Sequence, residues 1–136
     1  MRLEHRTDPP LEDVLAIASM AMALKPHLFR LFMHQVVRSE IVGFYRAGAL
    51  EVVVGFLPDP ARNAVELWMI CRPGVAPFLP GLVRLARLTI ARLTDAGTIV
   101  TATVREGHRP GARLAALLGM RKVAAAAGFE TWEVKP

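Results

Sequence analysis

The side chains able to do chemistry in this chain are few and widely spaced. Histidines stand at His5, His27, His34 and His108, and the single cysteine is Cys71. Zinc sites are built from Cys or His pairs separated by a few residues. These five positions form no such pairs, so no metal is expected. Cys71 is followed by Arg72, whose charge favours a thiolate, but its apolar flank suits a small buried thiol. His108 lies in a polar turn, and histidine is the side chain that exchanges a proton near neutral pH. Glu66 interrupts the apolar run Val65-Glu66-Leu67-Trp68. In an extended strand it shares a face with Trp68, while Leu67 and Met69 point the other way.

The elements that would hold these residues follow from the apolar spacing. Met1 to Thr7 reads as a short strand stopped by Asp8-Pro9-Pro10. From Leu11, the positions Leu11, Val14, Leu15, Ile17, Ala18 and Ala21 or Met22 have helical spacing, with Glu12 and Asp13 near the positive end of the helix dipole. Pro26 starts a second helix reaching Arg38, whose row Arg30, His34, Arg38 forms an exposed stripe. Ile41 to Arg46 and Leu50 to Leu57 make a hairpin across Ala47-Gly48, and Ala64 to Cys71 is the next strand of the same meander. Residues 75 to 81 hold Pro77, Pro80 and Gly81 and read as a loop. A helix then runs from Leu82 to Asp95, with Leu82, Leu85, Ala86, Thr89 and Leu93 on one face. Thr98 to Val104 is a strand, Gly111 to Leu118 a helix closed by Gly119, and Phe129 to Val134 a last strand. Met20, Met22 and Met33 are assigned to packing.

Composition bounds the class. A chain of 136 residues, 53% hydrophobic and 21% charged, suits a single domain over residues 1–136 and excludes a disordered tail. The mean hydropathy of +0.34 points to apolar surface covered by a protein partner or by another copy of the chain, although Ala-rich runs raise the figure. The formal charge is +5, from 17 Lys+Arg against 12 Asp+Glu, which favours acidic partners. With 6 Phe, 2 Trp and 1 Tyr, and no basic run interleaved with them, nucleic acid is not the expected ligand. The apolar stretch Val14 to Leu24 is about half of what a bilayer span needs, and the lone cysteine suits a reducing compartment. A cytoplasmic location is expected.

The order βααβββαβαβ, together with Leu114, Leu117 and Leu118-Gly119-Met120-Arg121 near the C-terminus, resembles the GNAT acyltransferase superfamily over nearly the whole chain. The helix followed by Leu-Gly-Met is similar to that family's helix-plus-Leu-Gly-Phe signature, with Met120 in place of Phe. The chain is also similar to short GNAT-like proteins encoded by tailed phages, some of which are virion components. The resemblance implies an α/β (α+β) domain of three layers, with a mixed, mostly antiparallel central sheet and helices on both faces.

In that family a glycine-rich loop and a helix N-terminus hold the acyl-CoA pyrophosphate. The matching segment is Arg72 to Gly81, where the resemblance assigns cofactor contacts to Arg72, Gly74, Gly81 and Arg84, with Arg87 nearby. The three family glycines fall on Pro77, Leu79 and Gly81. Proline offers no N–H, and Leu79 fills space the phosphate needs. The family's proton-donating Tyr falls on Ala115, and His108 stands where an Asn is common. The resemblance makes Glu66 the general base and His108 an acid/base candidate, although no second member of a proton relay is visible. The expected function is therefore a catalytically degenerate GNAT-like protein acting as a binding or structural component, as in a phage virion, with no cofactor. The alternative is an active acetyl-CoA-dependent N-acetyltransferase acting on an amine.

Overall fold

The computed structural model describes residues 3–21 and 26–136. Met22 therefore lies outside the described residues. The elements are β1 (Glu4–Thr7), α1 (Leu11–Ala21), α2 (Pro26–Arg38), β2 (Glu40–Arg46), β3 (Ala49–Asp59), β4 (Ala64–Cys71), a single 3₁₀ turn (Ala76–Phe78), α3 (Leu79–Asp95), β5 (Ile99–Arg105), α4 (Arg109–Leu117), β6 (Arg121–Ala126) and β7 (Phe129–Val134). The expected order βααβββαβαβ is followed, with β6 added before the last strand. The strands pair in the order β1-β2-β3-β4-β5-β7-β6. Among the described pairs, β4 with β5 is parallel and the others are antiparallel. The chain divides into two compact units, residues 1–57 with 68–78, and residues 58–67 with 79–136.

In the first unit, the apolar spacing of α1 and α2 buries Val14, Ile17, Ala18, Phe32 and Val36 against Tyr45, Leu50, Val53 and Ile70. Trp68 packs on this cluster, with its ring edge-on to Phe32 at 5.9 Å and its Nε1 donating to Ser39 Oγ at 2.9 Å. Gly55 makes room for it, since a methyl group there would overlap the indole. Tyr45 OH donates to Asp13 Oδ2 at 3.1 Å, and burial followed by that bond raises the phenol's pKa. The β2–β3 ladder contains a bulge: Phe44 faces Val52 and Tyr45 faces Leu50, so Glu51 has no opposite residue.

In the second unit, parallel β4 and β5 need a crossover, which α3 supplies. Pairing runs Ala64 to Ile99, Val65 to Val100 and Glu66 to Thr101. Asn63 clamps the start of this ladder, its C=O accepting from Ile99 N at 3.1 Å and its Nδ2 donating to Gly97 O at 3.0 Å. Helix α3 begins three residues earlier than the loop-forming residues suggested, because Pro80 in a first helical turn gives up only an N–H that has no partner there. It buries Leu82 and Ile90, whereas Leu85, expected on the core face, is exposed. Helix α4 ends in a Schellman arrangement: Met120 N donates to Ala115 O and Gly119 N to Ala116 O, both at 3.0 Å, with Gly119 at φ +85°. The Leu-Gly-Met signature is thus a helix stop that buries Leu118 and Met120.

Among the described residues, no helix is long and apolar enough to cross a membrane.

Candidate functional site

Strand alternation divides the second unit's sheet into two faces. Val100 and Val104 of β5 are buried on one face, so Thr101 and Thr103 fall on the other. Register adds Glu66 opposite Thr101 on β4, and Glu133 and Thr131 opposite Thr101 and Thr103 on β7. A strip of two carboxylates and three threonines therefore crosses β4, β5 and β7. Within it, Thr103 Oγ1 donates to Glu66 Oε1 at 3.1 Å. Glu66 is half-buried, and one of its oxygens is fixed by the hydroxyl. Glu133 pairs with Lys135 at 3.5 Å, and its side chain is only 11% exposed. The strip can hold a cationic group and take a proton from it.

His108 is not part of this strip's hydrogen bonding. Its Nδ1 accepts from Gly111 N at 3.2 Å, which makes it the N-cap of α4. A methyl at Gly111 would lie 2.6 Å from that nitrogen, so the glycine and the cap go together. Ala115, the position matching a proton donor, is 4% exposed and its carbonyl belongs to the helix stop.

The remaining candidates divide between the units. In the second, Gly81 lies in the first turn of α3 with nothing within 4 Å of where a Cβ would be, and Arg84 is exposed. Pro80, Val83, Arg84, Arg87 and Leu88 line a shallow hollow of about 440 Å³ along this helix. In the first unit, the guanidinium of Arg72 is engaged: Nε donates to Leu50 O at 2.6 Å and Nη1 to Met20 Sδ at 2.8 Å. Gly74 takes φ +89° with open space around it. Phe78 N donates to Val75 O, and Pro73, Pro77 and Pro80 carry no N–H, so the segment offers few amides. Cys71 is half-buried, and burial pushes its thiol up to about 11. Among the described residues, no group of three or more His, Cys, Asp or Glu is assembled for a metal.

Sequence reasoning missed Thr103, Glu133 and Glu51. The Thr101-Ala102-Thr103 alternation was a signal for the first, but its partner depends on parallel register, which composition does not reveal. Glu51 was marked only by being a charge inside a β-branched run.

No family model and no curated protein sequence matches the chain. Solved structures do. The PaiA N-acetyltransferase of Thermoplasma acidophilum, in complex with coenzyme A, aligns with a TM-score of 0.77 at 13% identity over 100% of both chains. A Bacillus subtilis acetyltransferase in complex with CoA gives 0.74 at 13% identity over 99% of each. The Escherichia coli ribosomal-protein-S18-alanine N-acetyltransferase gives 0.69 at 15% identity over 96% of this chain and 90% of its own. The chain has the GNAT acetyltransferase fold.

Proposed function

We propose that this GNAT-fold chain is an acetyl-CoA-dependent N-acetyltransferase acting on a cationic amine, with Glu66 as the proton acceptor. The Thr103 hydrogen bond to Glu66 carries this reading, because it orients the carboxylate by one oxygen, a partner that composition did not reveal. An ammonium has no lone pair and must lose a proton before it attacks a thioester carbonyl. Thr103 fixes Oε1 of Glu66 and leaves Oε2 to take that proton, directly or through water. Attack forms the C–N bond, the C–S bond breaks, and the proton shed by the new amide nitrogen passes to the departing thiolate, which gives the amide and CoA thiol. Placing amine and thioester together supplies much of the acceleration, so a side-chain donor at Ala115 is not essential. Gly81 and Arg84, open and exposed in the first turns of α3, are the contacts proposed for the cofactor's phosphates. The fold shared with two CoA-bound acetyltransferases supports the cofactor assignment.

A second reading rests on Ala115 and on the proline-rich segment before α3: a silent GNAT-like scaffold within an assembly such as a phage particle. Exposed Leu28, Phe29, Leu31 and Val37 on α2 are compatible with a protein partner or another copy of the chain. Calorimetric titration with acetyl-CoA, followed by thiol release with a panel of primary amines, decides between them. Micromolar binding and amine-dependent release support transfer. Silence at millimolar cofactor supports the scaffold.

A further inference from the structure

Glu51 is the only buried charged side chain among the described residues, at 7% exposure. Burying a carboxylate is costly unless it is paired and hydrogen-bonded, so packing alone would favour an aliphatic residue on this strand. The bulge explains how Glu51 comes to lie where it does. It is the extra residue of β3, with Leu50 and Val53 both in the apolar cluster of the first unit, so the bulge keeps the strand's core-facing residues in phase on either side of it.

Two contacts tie this residue to the segment after β4. Its main-chain carbonyl accepts from Arg72 N at 2.9 Å, at the start of that segment. Its Oε1 accepts from Arg46 Nη2 at 3.3 Å, and the Arg46 guanidinium lies over the Phe78 ring, 5.4 Å from the centroid, at the segment's end. Between these anchors lie Pro73, Gly74, Val75, Ala76 and Pro77, with one main-chain bond of their own, Phe78 N to Val75 O at 2.8 Å. A segment with so few amide bonds has little to fix its shape from within.

We propose that Glu51 is a positioning residue that staples both ends of the Arg72–Phe78 segment, through its carbonyl at Arg72 and through Arg46 at Phe78, and so fixes the stretch of chain that leads into Gly81 and Arg84, the cofactor contacts proposed above. The staple is a property of the free protein. Its consequence for the cofactor rests on the acetyl-CoA reading above.

Hydrogen exchange of the whole, unliganded chain tests the staple. In Glu51→Leu the Arg46 anchor is lost, and the Phe78 amide, which donates to Val75 O, should exchange about tenfold faster with the rest of the first unit unchanged. In Glu51→Gln a carbonyl oxygen still accepts from Arg46, and exchange should stay within about threefold of the parent. Phe78→Ala, which alters no buried charge, should match Glu51→Leu. Unchanged exchange in both Glu51→Leu and Phe78→Ala, or a rise spread evenly through α1 and β3, overturns the proposal. A second arm measures acetyl-CoA kinetics. Glu51→Leu should raise KM about tenfold with kcat within about twofold, and a fall in kcat at constant KM overturns the positioning role. If the parent binds no cofactor at all, the acetyltransferase reading falls, and exchange alone decides whether the staple stands.

Discussion

Glu51 and Glu66 are both strand carboxylates flanked by apolar neighbours, yet the two units treat them differently. In the first unit Glu51 is nine-tenths buried, answered by Arg46, and its main chain holds Arg72. Arg72 in turn gives its guanidinium to Leu50 O and Met20. Polar groups there are consumed in holding the chain. In the second unit Glu66 is half-buried and has one hydroxyl partner, in a strip where Glu133 is the other acid. A carboxylate with one hydroxyl partner and access to solvent can meet a bound ligand, whereas one buried beneath an arginine is engaged in bracing the chain. The contrast teaches that a charged residue within an apolar strand marks either a brace or a reactive group, and that the partner decides which.

The sharpest way to break this comparison is to neutralise Glu66. Glu66→Gln keeps the acceptor for Thr103 but cannot take a proton, and amine acetylation should fall about 100-fold or more with the melting temperature unchanged. Equal activity in the variant would remove Glu66 from the chemistry. The first unit should answer with stability instead of activity. Gly55→Ala drives a methyl into the Trp68 indole and should cost about 2 kcal/mol in urea unfolding, because the ring is held by Ser39 and Phe32 and has nowhere to move. A smaller effect is expected for Thr103→Val, which is isosteric and removes one bond to Glu66. Acetylation should fall about tenfold, a change of about 1.4 kcal/mol in the barrier, with stability little altered. Should Thr103→Val instead destabilise the fold and spare the activity, the strip would be structural and the contrast with the first unit would vanish.

Much of the architecture was legible because it depends on local pattern. The helical spacing of Leu11 to Ala21 and the Pro26 start of α2 are set within a few residues, and both elements lie where the spacing puts them. The strand Ala64 to Cys71 is bounded by its own turn residues and is likewise recovered. Strand β6 escaped notice because Arg121-Lys122-Val123-Ala124-Ala125-Ala126 carries no alternation and alanine has little strand preference. Its pairing with β7 makes it a strand. The site was less legible for a related reason. Glu66 was visible as a charge in an apolar run, but Thr103 reaches it only through the parallel register, and Glu133 joins the strip only through β7. Ala115 illustrates a different limit: the residue type excluded a proton donor, but its burial under the Schellman stop emerged only from the fold.

The smallest expected effect concerns Cys71, at the end of β4 in the first unit, where burial alone raises the thiol from 9.0 to about 11. Arg72 follows it in the chain, but that guanidinium is turned toward Leu50 O and Met20, so desolvation outweighs the neighbouring charge. Two consequences have the same sign. At neutral pH the folded protein carries about 100-fold less thiolate than an unperturbed cysteine, so alkylation by iodoacetamide should be slow and should accelerate as pH rises toward 11. The unfolded chain releases this proton near 9.0 while the folded chain keeps it to about 11, so the folded state binds more protons in that window. Stability should therefore fall as pH rises through it, and Cys71→Ala should flatten that part of the stability–pH curve. Rapid alkylation at pH 7, with the fold intact, would mean that Cys71 is an activated thiol, and the first unit would then hold a reactive group of its own.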